Sequence, residues 1–240
     1  PGIRADFSVA TKDHDGRDLE LYLGCPRRYL YQRVLGLSGS REDNGYVQFH
    51  RVIYRVLRWM GAQGEDISAA ATFVEFERAW AEFGPLDHPL QEIFQAAARR
   101  ILDQALGRPR TGIVFGETLV VRLDTYNITL PIDEIERGAT VIIRRLRTGR
   151  PPKKPDQRVL HALMAEAGRQ AHNVSVGFEL QYLTTNEAVA VTLSGVMVSR
   201  LEKTRTALRG LAGGVYPAKP ENREDCPRCP HYFICPTVPG

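Results

Sequence analysis

The stretch Val141-Ile142-Ile143-Arg144-Arg145-Leu146-Arg147-Thr148-Gly149 opens on β-branched residues and closes on Thr-Gly. Thr140 to Leu146 is predicted to be a β-strand on that pattern. The strand leads into a basic run. Arg144, Arg145, Arg147, Arg150, Lys153 and Lys154 follow one another with no acid among them. Such a cluster suits a phosphate backbone, and a solvated basic loop is the alternative reading.

Two further strands precede this one, Thr118 to Leu123 and Asn127 to Ile132. After it, Gln157 to Ala171 returns to helical period, with Val159, Leu160, Leu163, Met164 and Ala167 on one face. Val174 to Leu183 and Ala188 to Leu193 read as strands, and Val196 to Leu211 as a helix stopped by Gly213-Gly214. Upstream the pattern is helical. Leu19 to Leu35 is interrupted by Cys25-Pro26, and Tyr46 to Met60 carries a stripe of Val52, Ile53, Val56, Leu57 and Met60. Phe73 to Phe83 ends at Gly84-Pro85, and Ile93 to Leu106 ends at Gly107. Residues up to Gly16 show no period. The expected organisation is an irregular segment 1–18 and a single domain 19–240. That domain comprises a mainly helical part 19–110, an α/β core 111–215 and a cysteine loop 216–240. Trp59 and Trp80 are expected in the core.

The chain has 240 residues, 43% hydrophobic and 25% charged, with 32 Lys plus Arg against 28 Asp plus Glu. That composition is ordinary for a folded soluble protein and long enough for a full core without crosslinks. No apolar run approaches the roughly 20 residues of a membrane span, and no signal peptide is visible. A membrane partner is therefore not expected, and the location is expected to be cytoplasmic. The first residue is Pro1, so the sequence reads as a piece of a longer chain. No Gly-rich phosphate loop exists, so this piece is not expected to hydrolyse ATP.

The four cysteines are Cys25, Cys226, Cys229 and Cys235, the last three spaced C-x2-C-x5-C. Four soft thiolates are what a tetrahedral zinc site or an iron–sulfur cluster requires. Structural zinc sites usually use two local pairs. Here the arrangement is one plus three, and each ligand is followed by proline: Pro26, Pro227, Pro230 and Pro236. That favours a 4Fe-4S cluster, with Zn and two disulfides as alternatives. His231 inside the loop is a weaker ligand candidate.

The frame resembles a known family. Cys25-Pro26-Arg27-Arg28-Tyr29-Leu30-Tyr31 with Val34-Leu35-Gly36-Leu37 is similar to the opening of RecB/AddB-type nuclease domains. Cys226-Pro227-Arg228-Cys229-Pro230 through Phe233-Ile234-Cys235-Pro236 is similar to their close. These domains belong to the PD-(D/E)XK superfamily. The resemblance implies an α/β fold: a restriction-endonuclease-like core with a central mixed β-sheet flanked by helices, an N-terminal helical insertion, and a C-terminal cysteine loop closing on the N-terminal region. It implies a 4Fe-4S staple held by the four cysteines. It also implies DNA as partner, single-stranded or forked, and UvrD-like superfamily 1 helicase motor domains in the same chain or complex, in DNA repair or recombination. A bacterial, nucleoid-associated setting goes with it.

The family cuts DNA at a Mg²⁺ site made by an Asp on one strand and D-x-K, often followed by Thr-Gly, on the next. Residues i and i+2 of a strand share a side, so acid and lysine both reach the scissile phosphate. Here Asp133 matches the first Asp and His50 the family's helix histidine. Arg145 stands at the second acid and Arg147 at the lysine. The Q-x-x-x-Y positions of the following helix fall on Val159 and Leu163. A guanidinium stays protonated at any working pH, so Arg145 removes a metal ligand and adds a like charge. The expectation is therefore a domain that has lost catalysis, in which Asp133 pairs with Arg145. Arg145, Arg147, Arg150, Lys153 and Lys154 would grip DNA, and Tyr29 or Tyr31 would be available to stack on bases. Glu134 and Glu136 could supply a second carboxylate. An active Mg-dependent exonuclease, a zinc interaction module and a redox sensor are the competing readings.

Overall fold

The computed structural model of the chain describes residues 12–37, 44–64, 67–152 and 157–236. The segment expected to be irregular contains a short strand, β1 (Asp13–Asp15), too brief to show a period. Asp15 then caps α1 (Gly16–Gly24) by accepting the Arg17 N–H at 2.7 Å. Cys25 is fully extended, with φ −166°. α2 (Pro26–Tyr29) restarts on Pro26, where a missing N–H costs little, and runs into a π-helical turn Leu30–Val34. Cys25 thus stands at the joint of two short helices.

The helical part follows. Asn44 caps α3 (Gly45–Ala62) and Ser68 caps α4 (Ala69–Phe83), each through a side-chain oxygen that accepts a backbone N–H. With α5 (Gln91–Leu106) they form one apolar cluster. Phe49, Val52, Ile53, Val56 and Met60 of α3 pack there with Phe76, Trp80 and Leu102. Trp80 is core as expected, whereas Trp59 is only partly buried at the cluster's edge.

The strands do not form one continuous meander. β2 (Ile113–Phe115), β3 (Thr118–Leu123), β4 (Tyr126–Pro131), β5 (Glu134–Glu136), β6 (Val141–Arg147), β7 (Val176–Tyr182) and β8 (Glu187–Ala190) divide between two sheets. One has the order β1-β4-β3, with β1 parallel to β4. The other is a mixed five-stranded sheet, β2-β5-β6-β7-β8, in which only β6 and β7 run parallel. The chain crosses from the first sheet to the second between Pro131 and Glu134, and Asp133 sits at that crossing.

α6 (Val159–His172) connects the parallel pair and packs on β3 as well as on β6 and β7. It is buried from Val159 through Gly168, as a helix covered on all sides must be. Gly168 permits the close approach, since a Cβ there would lie 2.5 Å from Cδ1 of Ile143. α7 (Met197–Ala212) covers the same core. The central mixed sheet flanked by helices agrees with the architecture the resemblance implies. No helix among the described residues is long and apolar enough to cross a membrane.

The tail from Pro217 is held by contacts rather than by its own ladder. Arg27 N–H donates to Pro217 O at 3.1 Å, Glu221 N–H to Gly24 O at 2.8 Å, and the Tyr31 hydroxyl to Ile234 O at 3.2 Å. The cysteine loop therefore closes on α1 and α2.

Candidate functional site

β6 lies between two packed clusters, and its alternation decides where its cations point. Val141 and Ile143 belong to the core around α6, and Leu146 belongs to the helical cluster of α3–α5. Arg145 and Arg147 share the side of Ile143. Arg147 reaches α6, where its Nη2 lies 3.4 Å from Nε2 of His161. His161 has no exposed surface, and its ring stacks on Phe178 of β7 at 4.8 Å. This histidine was not singled out in the sequence. Its only signal is a polar residue between the apolar Val159 and Leu163, in the middle of the Q-x-x-x-Y frame.

Asp133 does not form a contact ion pair with Arg145, contrary to expectation. Its Oδ2 accepts the backbone N–H of Leu146 at 2.9 Å. Burial pushes the Asp133 carboxyl up, against the Leu146 N–H and the Arg145 charge, which pull it down. Burial, then the charge of Arg147, pulls the Arg145 guanidinium down from a very high value, so both arginines stay charged. Asp133, Glu20 of α1 and Tyr54 of α3 act on Arg145 in the opposite direction.

Glu134 and Glu136 offer no second metal carboxylate. Glu134 is 1% exposed and is clamped by Arg108 through two bonds of 2.7 and 2.6 Å. Glu136 pairs with Arg144 at 2.6 Å, and Arg144 also binds Glu179 at 2.7 Å. Arg144 therefore drops out of the free basic run. Arg150 is exposed, whereas Lys153 and Lys154 lie outside the described residues.

His50 lies beside the end of β6. Its Nδ1 is 2.9 Å from Oγ1 of Thr148, its ring packs edge-on against Tyr46 at 4.2 Å, and burial pulls its imidazole below the ordinary value. Val159 and Leu163 are buried and bring no polar group to the site. Neither tyrosine proposed for base stacking is available. Tyr29 is stacked on Tyr216 at 6.0 Å, and Tyr31 is buried with its hydroxyl on Ile234 O.

The four cysteines are free, half-buried thiols. Burial raises the Cys226 thiol, and Cys25, Cys229 and Cys235 add to that shift, so the four share one neighbourhood. As the side chains stand, no group of three or more His, Cys, Asp or Glu among the described residues is arranged to hold a metal ion. The donor chemistry nevertheless fits a soft-metal centre: four thiols meet where tail and α1–α2 joint are already hydrogen-bonded. His231 is 4% exposed, lies 5.2 Å from the Tyr31 ring, and is pulled down by burial and then by Arg28.

The PD-(D/E)XK nuclease superfamily model matches residues 17–236. No curated protein matches the chain. Among solved structures, one from Eubacterium rectale, provisionally named an exonuclease, aligns at a TM-score of 0.59 and 13% identity, covering 97% of this chain and 92% of that one. The structure of SSO0001 aligns at a TM-score of 0.46 and 11% identity, covering 96% and 89%.

Proposed function

The chain belongs to the PD-(D/E)XK nuclease superfamily, and from that premise we propose that it binds DNA without cutting it. One observation carries this reading: the two positions that would hold a metal ion hold Arg145 and a carboxylate, Asp133, engaged with the Leu146 amide. Arg145 and Arg147 are left as neighbouring, partly buried cations on one side of β6, with no salt bridge to either among the described residues. Such a pair favours an anion, and phosphate suits the guanidinium fork. Arg150, and Lys153 and Lys154 beyond it, would extend the grip along a backbone.

The same reading makes Cys25, Cys226, Cys229 and Cys235 the ligands of a 4Fe-4S cluster, with zinc as the alternative. The group would supply a covalent clasp between the α1–α2 joint and the tail. The domain would serve a UvrD-like superfamily 1 helicase, in the same chain or complex, in repair or recombination. The resemblance supports these last steps.

The test incubates the protein with labelled single-stranded, forked and duplex DNA in Mg²⁺ or Mn²⁺. The expected result is salt-sensitive binding with no cleavage. Robust cutting that Asp133→Ala abolishes would overturn the reading in favour of an active exonuclease. A brown protein absorbing near 400 nm (about, for iron–sulfur charge transfer) separates the cluster from zinc.

A further inference from the structure

A cleft of about 840 Å³ opens between α1, the start of α6, α7 and the cysteine-bearing tail. Arginines reach it from separate elements: Arg17 from α1, Arg28 from α2, Arg158 before α6 and Arg200 from α7, with Arg33 at the π-helical turn. Some are answered by acids. Arg33 pairs with Asp18 at 2.6 Å and Arg158 with Glu20 at 3.7 Å. Of the other acids on the cleft, Glu221 is bound to Lys203, and Asp225 stands on the rim.

Arg28 and Arg200 differ. The Nε atom of each is buried and has no hydrogen-bond partner among the described residues. A buried guanidinium N–H without an acceptor costs the desolvation of a charged donor. Both residues line the cleft, and an oxyanion entering it would supply what they lack. Arg28 is also fixed in place. Its neighbour Arg27 donates through Nε to Tyr216 O at 2.9 Å, and Cys25 stands three residues before it. Glu20 joins the cleft to the nuclease-like groove, because it lines the cleft and its charge acts on Arg145.

We propose that Arg28 and Arg200 hold successive phosphates of a single nucleic-acid strand, which runs through this cleft past the cysteine loop toward Arg145 and Arg147. The inference rests on the DNA-binding reading and adds the path of the strand. A duplex is too wide to enter the cleft. A single strand is a polyanion that meets cations on several elements in turn, and bidentate phosphate contacts match the guanidinium fork.

The test titrates a fluorescent oligothymidylate into the full chain across salt from about 50 to 200 mM, reading anisotropy. Each lost phosphate contact on a single strand flattens the slope of log affinity against log salt by about 0.7. Arg28→Gln and Arg200→Gln are each expected to do so, and Arg200→Lys to restore most of the slope. Arg122→Gln, on exposed β3, is expected to leave it unchanged. If Arg28→Gln fails to fold, Arg200→Gln decides by the same slope. Unchanged slopes for Arg28→Gln and Arg200→Gln, with a flattened slope for Arg145→Gln or Arg147→Gln, overturn the strand path and leave the binding reading intact. No binding by the unaltered chain, or no response to any of the four, overturns both.

Discussion

The carboxylate of Asp133 accepts the backbone N–H of Leu146 at 2.9 Å. A bond that would be one of several at a metal-binding Asp is here the contact that ties the crossing between the two sheets to the end of β6. The residue that would share the metal, Arg145, is a cation on the other face of that strand from Leu146. The scaffold of a hydrolytic pocket survives, therefore, with its acid turned into a structural acceptor.

Asp133→Asn should remove a pH dependence of stability. The folded carboxyl of Asp133 is raised by burial, so the native state binds its proton more tightly than the unfolded chain. Its contribution is fully favourable below the ordinary Asp range. It is lost as pH rises through that range to the raised folded value. Urea denaturation over that window should show the unaltered protein losing stability with rising pH and Asp133→Asn losing less. Identical profiles would mean that the carboxyl is not held in the way its burial implies.

How much of this was legible in the sequence depends on what each feature needs. β6 and the helices α3 to α6 announce themselves through β-branched runs, apolar stripes and caps, because those signals are local. β1, β2 and β5 are three residues each and carry no measurable period, so the division into two sheets was hidden. Arg108 and Glu134 are 26 residues apart, and Arg144 and Glu179 are 35 apart. No sequence period encodes such partnerships, and so Glu134 looked available for a metal and Arg144 for DNA. The closing of the cysteine loop on Cys25 was legible because the one-plus-three spacing demands it. Arg28 and Arg200, on α2 and α7, could be paired only by the fold.

The Arg108–Glu134 clamp should be a major stabilising element of the groove's floor. The side chains are 10% and 1% exposed, and the bonds are bidentate. Removing one partner of a buried pair strands the other charge and costs about 3–5 kcal/mol. Arg108→Ala should lose about that much in urea. Arg108→Met with Glu134→Leu should recover much of it, because the stranded charge is gone. Equal losses in the single and double variants would show that packing, not charge, dominates.

Gly168→Ala tests the seat of α6. The added methyl would meet Ile143 Cδ1 at 2.5 Å, inside a packed core where overpacking costs about 1–3 kcal/mol. Ile143→Val in the same chain shortens the opposing side chain and should restore part of the loss. An Ala variant as stable as the unaltered protein would mean that α6 can lift from β6 freely.

His50 offers a second pH test with the opposite sign. Burial pulls its folded imidazole below the ordinary histidine value. Its stability contribution is therefore present above that value and is lost as pH falls toward the lowered one. His50→Asn, which keeps a hydrogen-bonding group near Thr148, should be less sensitive to acid across that window.

Removal of the proposed cluster should loosen both chain ends together and leave the sheet in place. The tail is joined to α1 and α2 by a few backbone and side-chain bonds, Arg27 to Pro217, Glu221 to Gly24 and Tyr31 to Ile234. Without a metal clasp those bonds must close a loop of about two hundred residues, and the entropic cost of closure returns to the folded state. Hydrogen exchange on protein treated with chelator and oxidant, or carrying Cys226→Ser, should show lost protection in 22–31 and 216–235. Amides of β6 and β7, buried in the parallel pair and held by α6, should keep theirs. Protection lost evenly across the chain would mean that the cysteines support the whole core. No loss anywhere would mean that the thiols hold nothing.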